Sequence, residues 1–84
     1  MEDVKTHKLV LHNDDHHDFL YVIACLMRHC KHDATQAEQC AITVHNRGKC
    51  SVKSGDFLEM LDLKTNLEDL DLITEIEAYE SHLY

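Results

Sequence analysis

The chain has 84 residues, 44% of them hydrophobic, with no Pro, two Gly and a net charge of −8. A chain this short buries only about 60–65% of its unfolded surface, so it forms one small domain with a modest core, which argues against most enzymes. Its acidity argues against nucleic acid, because phosphate backbones need a basic patch and only eight Lys and Arg are spread along the sequence.

In chain order, His7 to His12 alternates polar and apolar residues, with Leu9 and Leu11 on one face and Val10 on the other, and predicts a short strand. The polar cluster Asn13-Asp14-Asp15-His16-His17-Asp18 predicts a turn, with Asp18 as the N-cap of a helix. Behind it Phe19, Val22, Ile23, Leu26, Met27 and Cys30 form one stripe of an amphipathic helix running to about Lys31. Asp33 or Thr35 caps a second helix carrying Ala37, Cys40, Ala41, Val44 and His45 on one side, with Gly48 at its C′ position. Lys49 to Ser54 is a second strand. Gly55 and Asp56 then open a third helix through Phe57, Leu58, Leu61 and Leu67, and Asp71 to Tyr79 reads as a third strand.

The expected fold is α+β, in the order β-α-α-β-α-β: a small three-stranded sheet covered on one face by three helices. Residues 1–6 read as a short N-terminal tail, 7–79 as a single domain and 80–84 as a C-terminal tail. The charge is uneven. Residues 1–54 hold seven bases and seven acids, whereas residues 55–84 hold Lys64 against nine acids, a stretch most simply read as a solvated face. No run approaches the length of a membrane span, and the start lacks a basic segment followed by an apolar one, so a cytoplasmic protein with no membrane contact is expected.

In that compartment Cys25, Cys30, Cys40 and Cys50 are expected as thiols, and their spacings contain no C-x-x-C pair. They read as small hydrophobes, with no nucleophile context around them. Eight His is an unusual load, and His12, His16 and His17 beside Asp14, Asp15 and Asp18 could collect a divalent ion. The run is consecutive, however, and lacks the i,i+4 spacing that aims two imidazoles at one metal, so no metal and no cofactor are expected.

Two segments are unexplained by packing: Asn13-Asp14-Asp15, and Val44-His45-Asn46-Arg47-Gly48-Lys49 at the end of the second helix. If the first two helices pack together, Asn13 and His45 meet above an apolar floor of Val22, Ala41 and Val44. Such a site suits a ligand cationic at one end and apolar at the other, since Asn and neutral His offer acceptors and Asp a negative charge.

The run Leu11-His12-Asn13-Asp14-Asp15, the helix entered at Phe19 with Val22 following, Ala37, and Val44-His45-x-x-Gly48-Lys49 together resemble ClpS, the adaptor family of the Clp protease. The likeness is good over residues 7–54 and loose over 55–79. It implies a non-enzymatic, monomeric adaptor that binds substrates through a free N-terminal bulky hydrophobic residue, an N-degron. The cargo goes to the N-terminal domain of a Clp AAA+ ATPase and so to its protease. Carried over, Asn13 and His45 hold the α-amino group, with Asp14, Asp15 and His17 beside them. Phe19, Val22, Ala41, Val44 and Leu72 line the side-chain pocket, and Glu59 is the docking residue. One buried large side chain and a few charge-assisted hydrogen bonds, less association entropy, correspond to micromolar affinity.

The sequence departs from the family at several points. Ala41 stands where Met is common, so that either a wider set of side chains is accepted or Phe19 refills the space, and His17 stands where Thr or Asn is common. Six residues precede the first strand, where relatives often carry a longer extension used in hand-over. The rival readings are a metal-binding His/Asp-rich domain and a generic interaction module of the same fold.

Overall fold

The computed structural model describes residues 5–79. Its elements are β1 (His7–His12), α1 (Phe19–His29), α2 (Ala34–Arg47), β2 (Lys49–Gly55), α3 (Phe57–Asp69) and β3 (Ile73–Ala78). The order matches the expected β-α-α-β-α-β arrangement.

All three helices start by the same chemistry. Asp18, Asp33 and Asp56 hold extended backbone, and each carboxylate accepts from the amide three residues on: Tyr21 at 2.8 Å, Gln36 at 2.7 Å and Glu59 at 2.7 Å. Each cap satisfies a helix-start donor that would otherwise lack a partner. Asp33, and not Thr35, is therefore the cap of α2. Replacing any one of the three by Ala is expected to lower stability by about 1 kcal/mol, measured by chemical denaturation.

Helix ends differ. The first helix stops at His29, short of Lys31: Cys30 caps it and Lys31 turns to φ 58°. The second ends as its sequence predicts, with Gly48 at φ 91° and its amide bonded to the Val44 carbonyl at 2.9 Å. A Cβ added at Gly48 would meet nothing within 4 Å, so only backbone conformation demands glycine there. Gly48→Ala is accordingly expected to cost about 1–2 kcal/mol, the penalty of left-handed backbone for an L side chain.

The sheet is antiparallel in the order β2-β1-β3, so β1 is central. His12 lies opposite Lys49 on one side and Ile73 on the other. The β1–β2 register shifts between Leu9 and Val10, where Val52 forms a bulge. Thr6, expected in the N-terminal tail, already bonds both neighbours: its amide donates to Gly55 O and its carbonyl accepts from Tyr79 N. The tail residues 1–4 and the proposed C-terminal tail, 80–84, lie outside the described residues.

One core lies between the sheet and the helices. Leu9, Leu11, Val52 and Leu72 meet Cys25, Leu26, Cys30, Ala37, Val44, Met60 and Leu67 there. The second helix lies on β2 and α3 on β1 and β3, while α1 packs chiefly on α2 and less extensively on α3. Two expected helix faces turn out rotated. On α1, Cys25 is buried and Tyr21 packs on the core, whereas Phe19 and Met27 are exposed; on α3, Met60 is fully buried while Phe57, Leu58 and Leu61 are exposed. The alternation on β3 holds, with Leu72 and Thr74 buried and Ile73 and Glu75 exposed.

The outer face of the sheet is a cross-strand polar array. Lys8 and Lys49 pair with Glu77 at 3.8 and 3.9 Å, His12 bonds Glu75 at 3.1 Å, and Ser54 bonds Tyr79 at 2.6 Å. Part of the acidic C-terminal third is thus matched by the bases of β1 and β2. Val10 is buried beneath this array, apart from the main core.

Candidate functional site

The Asn13 turn and the end of α2 are joined by backbone. Asn13 N donates to Gly48 O at 2.8 Å, continuing the β1–β2 ladder one step past the His12–Lys49 pair. Gly48 in turn closes the last turn of α2, which carries Val44 and His45. The two motifs that packing left unexplained are therefore adjacent, held by the left-handed Gly48. Asn13 and His45 are both exposed, and so are Asp15 and His16.

Asp14 is different. Its side chain is only 7% exposed, and one carboxylate oxygen accepts from the His16 and His17 amides at 2.8 and 3.0 Å and from His17 Nδ1 at 3.2 Å. Burial pushes the carboxyl upward, but the hydrogen bonds from His16 and His17 outweigh it and leave the group below the usual carboxylate range. Asp14 therefore organises the turn from inside. A carboxyl with a depressed folded value stabilises the fold above its unfolded value, and that contribution is lost as the pH falls through the folded one. Asp14 is thus expected to titrate below an unstructured aspartate when both are followed by NMR; titration at or above that reference would contradict the turn geometry.

His17 has partners too. Its ring stacks on Tyr21 with centroids 4.6 Å apart, and Tyr21 donates its hydroxyl to Leu70 O at 2.9 Å. This Asp14–His17–Tyr21–Leu70 chain ties the turn to the connection before Leu72. Tyr21 was absent from the expected site: His17 precedes the extended Asp18 cap, so helical spacing does not signal their contact.

Among the apolar candidates, Ala41, Val44 and Leu72 are buried, Val22 is half-buried against the core, and Phe19 is 40% exposed. Val44 and Leu72 belong to the main core and Ala41 is buried outside it. Of these five side chains only Phe19 is exposed. Glu59 is exposed at the start of α3, its carboxylate lying where a Cβ on Gly55 would fall.

Other chemistries find less support. No group of three or more His, Cys, Asp or Glu is placed to hold a metal ion among the described residues. The four cysteines are free, and burial pushes the thiols of Cys30 and Cys40 up to about 11 and about 12, away from the thiolate a nucleophile needs. No helix among the described residues is long and apolar enough to cross a membrane.

A family model described as ATP-dependent Clp protease adaptor protein ClpS matches residues 2–73, which include both halves of the site. The chain belongs to the ClpS family. ClpS is an adaptor family. The fold agrees as well: the chain is similar to the structure of Agrobacterium tumefaciens ClpS2 bound to L-phenylalaninamide, with a TM-score of 0.84 and 20% identity over 89% of this chain and 98% of that one. No curated protein sequence matches. At this identity the structural likeness speaks for the ClpS fold, while the family rests on the sequence match.

Proposed function

We propose that this ClpS-family adaptor captures polypeptides through a free N-terminal residue with a bulky hydrophobic side chain and delivers them to a Clp ATPase and its protease. The observation that carries the reading is the 2.8 Å bond from Asn13 N to Gly48 O, which sets the Asn13 turn beside the turn that bears His45. In this reading the Asn13 carbonyl oxygen and a His45 ring nitrogen accept from the α-ammonium. Asp14 and Asp15 keep the surroundings negative, and Asp14 with His17 holds the turn in shape. The first side chain enters between Phe19 and Val22 and rests over Ala41, Val44 and Leu72.

The related ClpS2 structure supports this chemistry. L-phenylalaninamide, its ligand, has a free ammonium, one bulky aromatic side chain and an amide in place of the next peptide bond. Those are the features of an N-terminal Phe. Docking on the ATPase is assigned to the exposed start of α3 with Glu59, and the working location to the cytoplasm. Residues 7–79 act as a single adaptor domain.

A binding profile across all twenty N-terminal residues tests the reading. Peptides beginning with Phe, Leu, Tyr or Trp are expected to bind, and Ile and Val to join them because Ala41 leaves more room than Met. Peptides beginning with Gly, Asp or Lys are expected not to bind. A profile without preference would overturn the proposal and favour a generic interaction module.

A further inference from the structure

A cavity of about 330 Å³ lies between the α1–α2 connection and β2, away from the Asn13–His45 site, and its walls include Lys5, Lys31, Lys53, His32, Gln36 and Ser54. Three bases thus converge in a chain of net charge −8, and no carboxylate lines the space. Lys8, Lys49 and Lys64 all form ion pairs, whereas among the described residues Lys5, Lys31 and Lys53 form none. Lys31 and Lys53 also border a neighbouring cavity that holds Glu59 and Asp62, without pairing to either.

Two further features are hard to explain by packing alone. Lys31 adopts φ 58°, a conformation that favours Gly or Asn; the other two left-handed residues among the described ones are Gly48 and Asp71, types that tolerate it. Arg28 already places positive charge at the C-terminal turn of α1, so the helix end does not require a lysine. His32 is 6% exposed, donates from Nε2 to Val52 O at 2.7 Å, and leaves Nδ1 without any partner. With Nε2 as the donor, Nδ1 of the neutral ring is an acceptor, so the partner it lacks is a donor such as a water or the P–OH of a hydrogen phosphate.

We propose that this cavity binds a small phosphate-bearing anion. Ammonium groups act as point charges for phosphate oxygens, and the Gln36 side-chain amide adds a neutral donor. Three positive charges match a pyrophosphate better than a single carboxylate. An extended polyanion is disfavoured, because the acidic remainder of the surface repels it.

The test is a calorimetric titration of the full chain with inorganic phosphate and with inorganic pyrophosphate, at ionic strength held constant with chloride. Saturable one-site binding is expected, tighter for pyrophosphate, and weakened about tenfold by Lys53→Gln or by Lys31→Gly. Lys31→Gly is expected to raise the melting temperature while weakening binding, since it relieves the left-handed strain, and so separates loss of the site from loss of the fold. Absence of saturable binding would overturn the proposal, as would an affinity that neither replacement reduces.

Discussion

Asn13→Ala and His45→Ala are each expected to weaken binding of a peptide with a free N-terminal Phe by about tenfold to a hundredfold. A hydrogen bond to a charged group contributes about 1.5–3 kcal/mol, and each side chain is assigned one such bond to the α-ammonium. For a micromolar complex the double variant then leaves no measurable affinity in calorimetry. Both side chains are exposed, so the melting temperature is expected to stay close to that of the parent. Retained affinity in either variant would remove that residue from the site. A matching loss of stability would instead assign it a structural role.

Leu26→Ala is expected to lower stability by about 2–5 kcal/mol, the range for emptying a buried leucine site. Leu26 has no exposed surface, and it joins α1 to the cluster that includes Leu9, Leu11, Met60 and Leu67. The loss is large against the roughly 4–13 kcal/mol that a domain of this size has in total. Leu20 is on the same helix but is 74% exposed, and Leu20→Ala is expected to change stability by no more than about 0.5 kcal/mol. Equal losses from the two substitutions, in urea denaturation, would contradict the placement of the core.

Element order and helix starts were legible because each start carries a local signal. An Asp before an apolar run is such a signal at Asp18 and Asp56, whereas at α2 the sequence left Asp33 and Thr35 as alternatives and the structure selects Asp33. Gly48 was equally legible, since a glycine after the last helical residue has one common use. Strand β1 was legible from the alternation around Leu9 and Leu11, but its central place in the sheet was not.

The faces of α1 and α3 were not legible, for a physical reason. The run FLYVIACLM is apolar at nearly every position, so helical periodicity does not choose between a stripe through Met27 and one through Cys25. In α3, Leu67 is buried as the sequence reading has it, but Leu58, Leu61 and Leu63 point several ways, and only tertiary packing selects Met60. The α1 boundary moved from Lys31 to His29 because a left-handed lysine has no sequence signature.

At the candidate site the sequence supplied the two motifs but not their junction. Adjacency of Asn13 to the His45 turn depends on the antiparallel pairing of β1 with β2, a long-range fact sealed by the bond to Gly48. The burial of Asp14 depends on the turn folding back on its own carboxylate, which three amide and imidazole donors achieve. The Tyr21 contact to Leu70 needed the α3–β3 connection in place.

The central claim is capture of a free N-terminus, and the most direct measurement is a paired titration with one Phe-initiated peptide in its free and N-acetylated forms. Acetylation removes the ammonium charge and two of its donors while leaving the benzyl side chain intact. The account predicts saturable binding of the free peptide and none of the acetylated one. Equal affinity for both forms would contradict it.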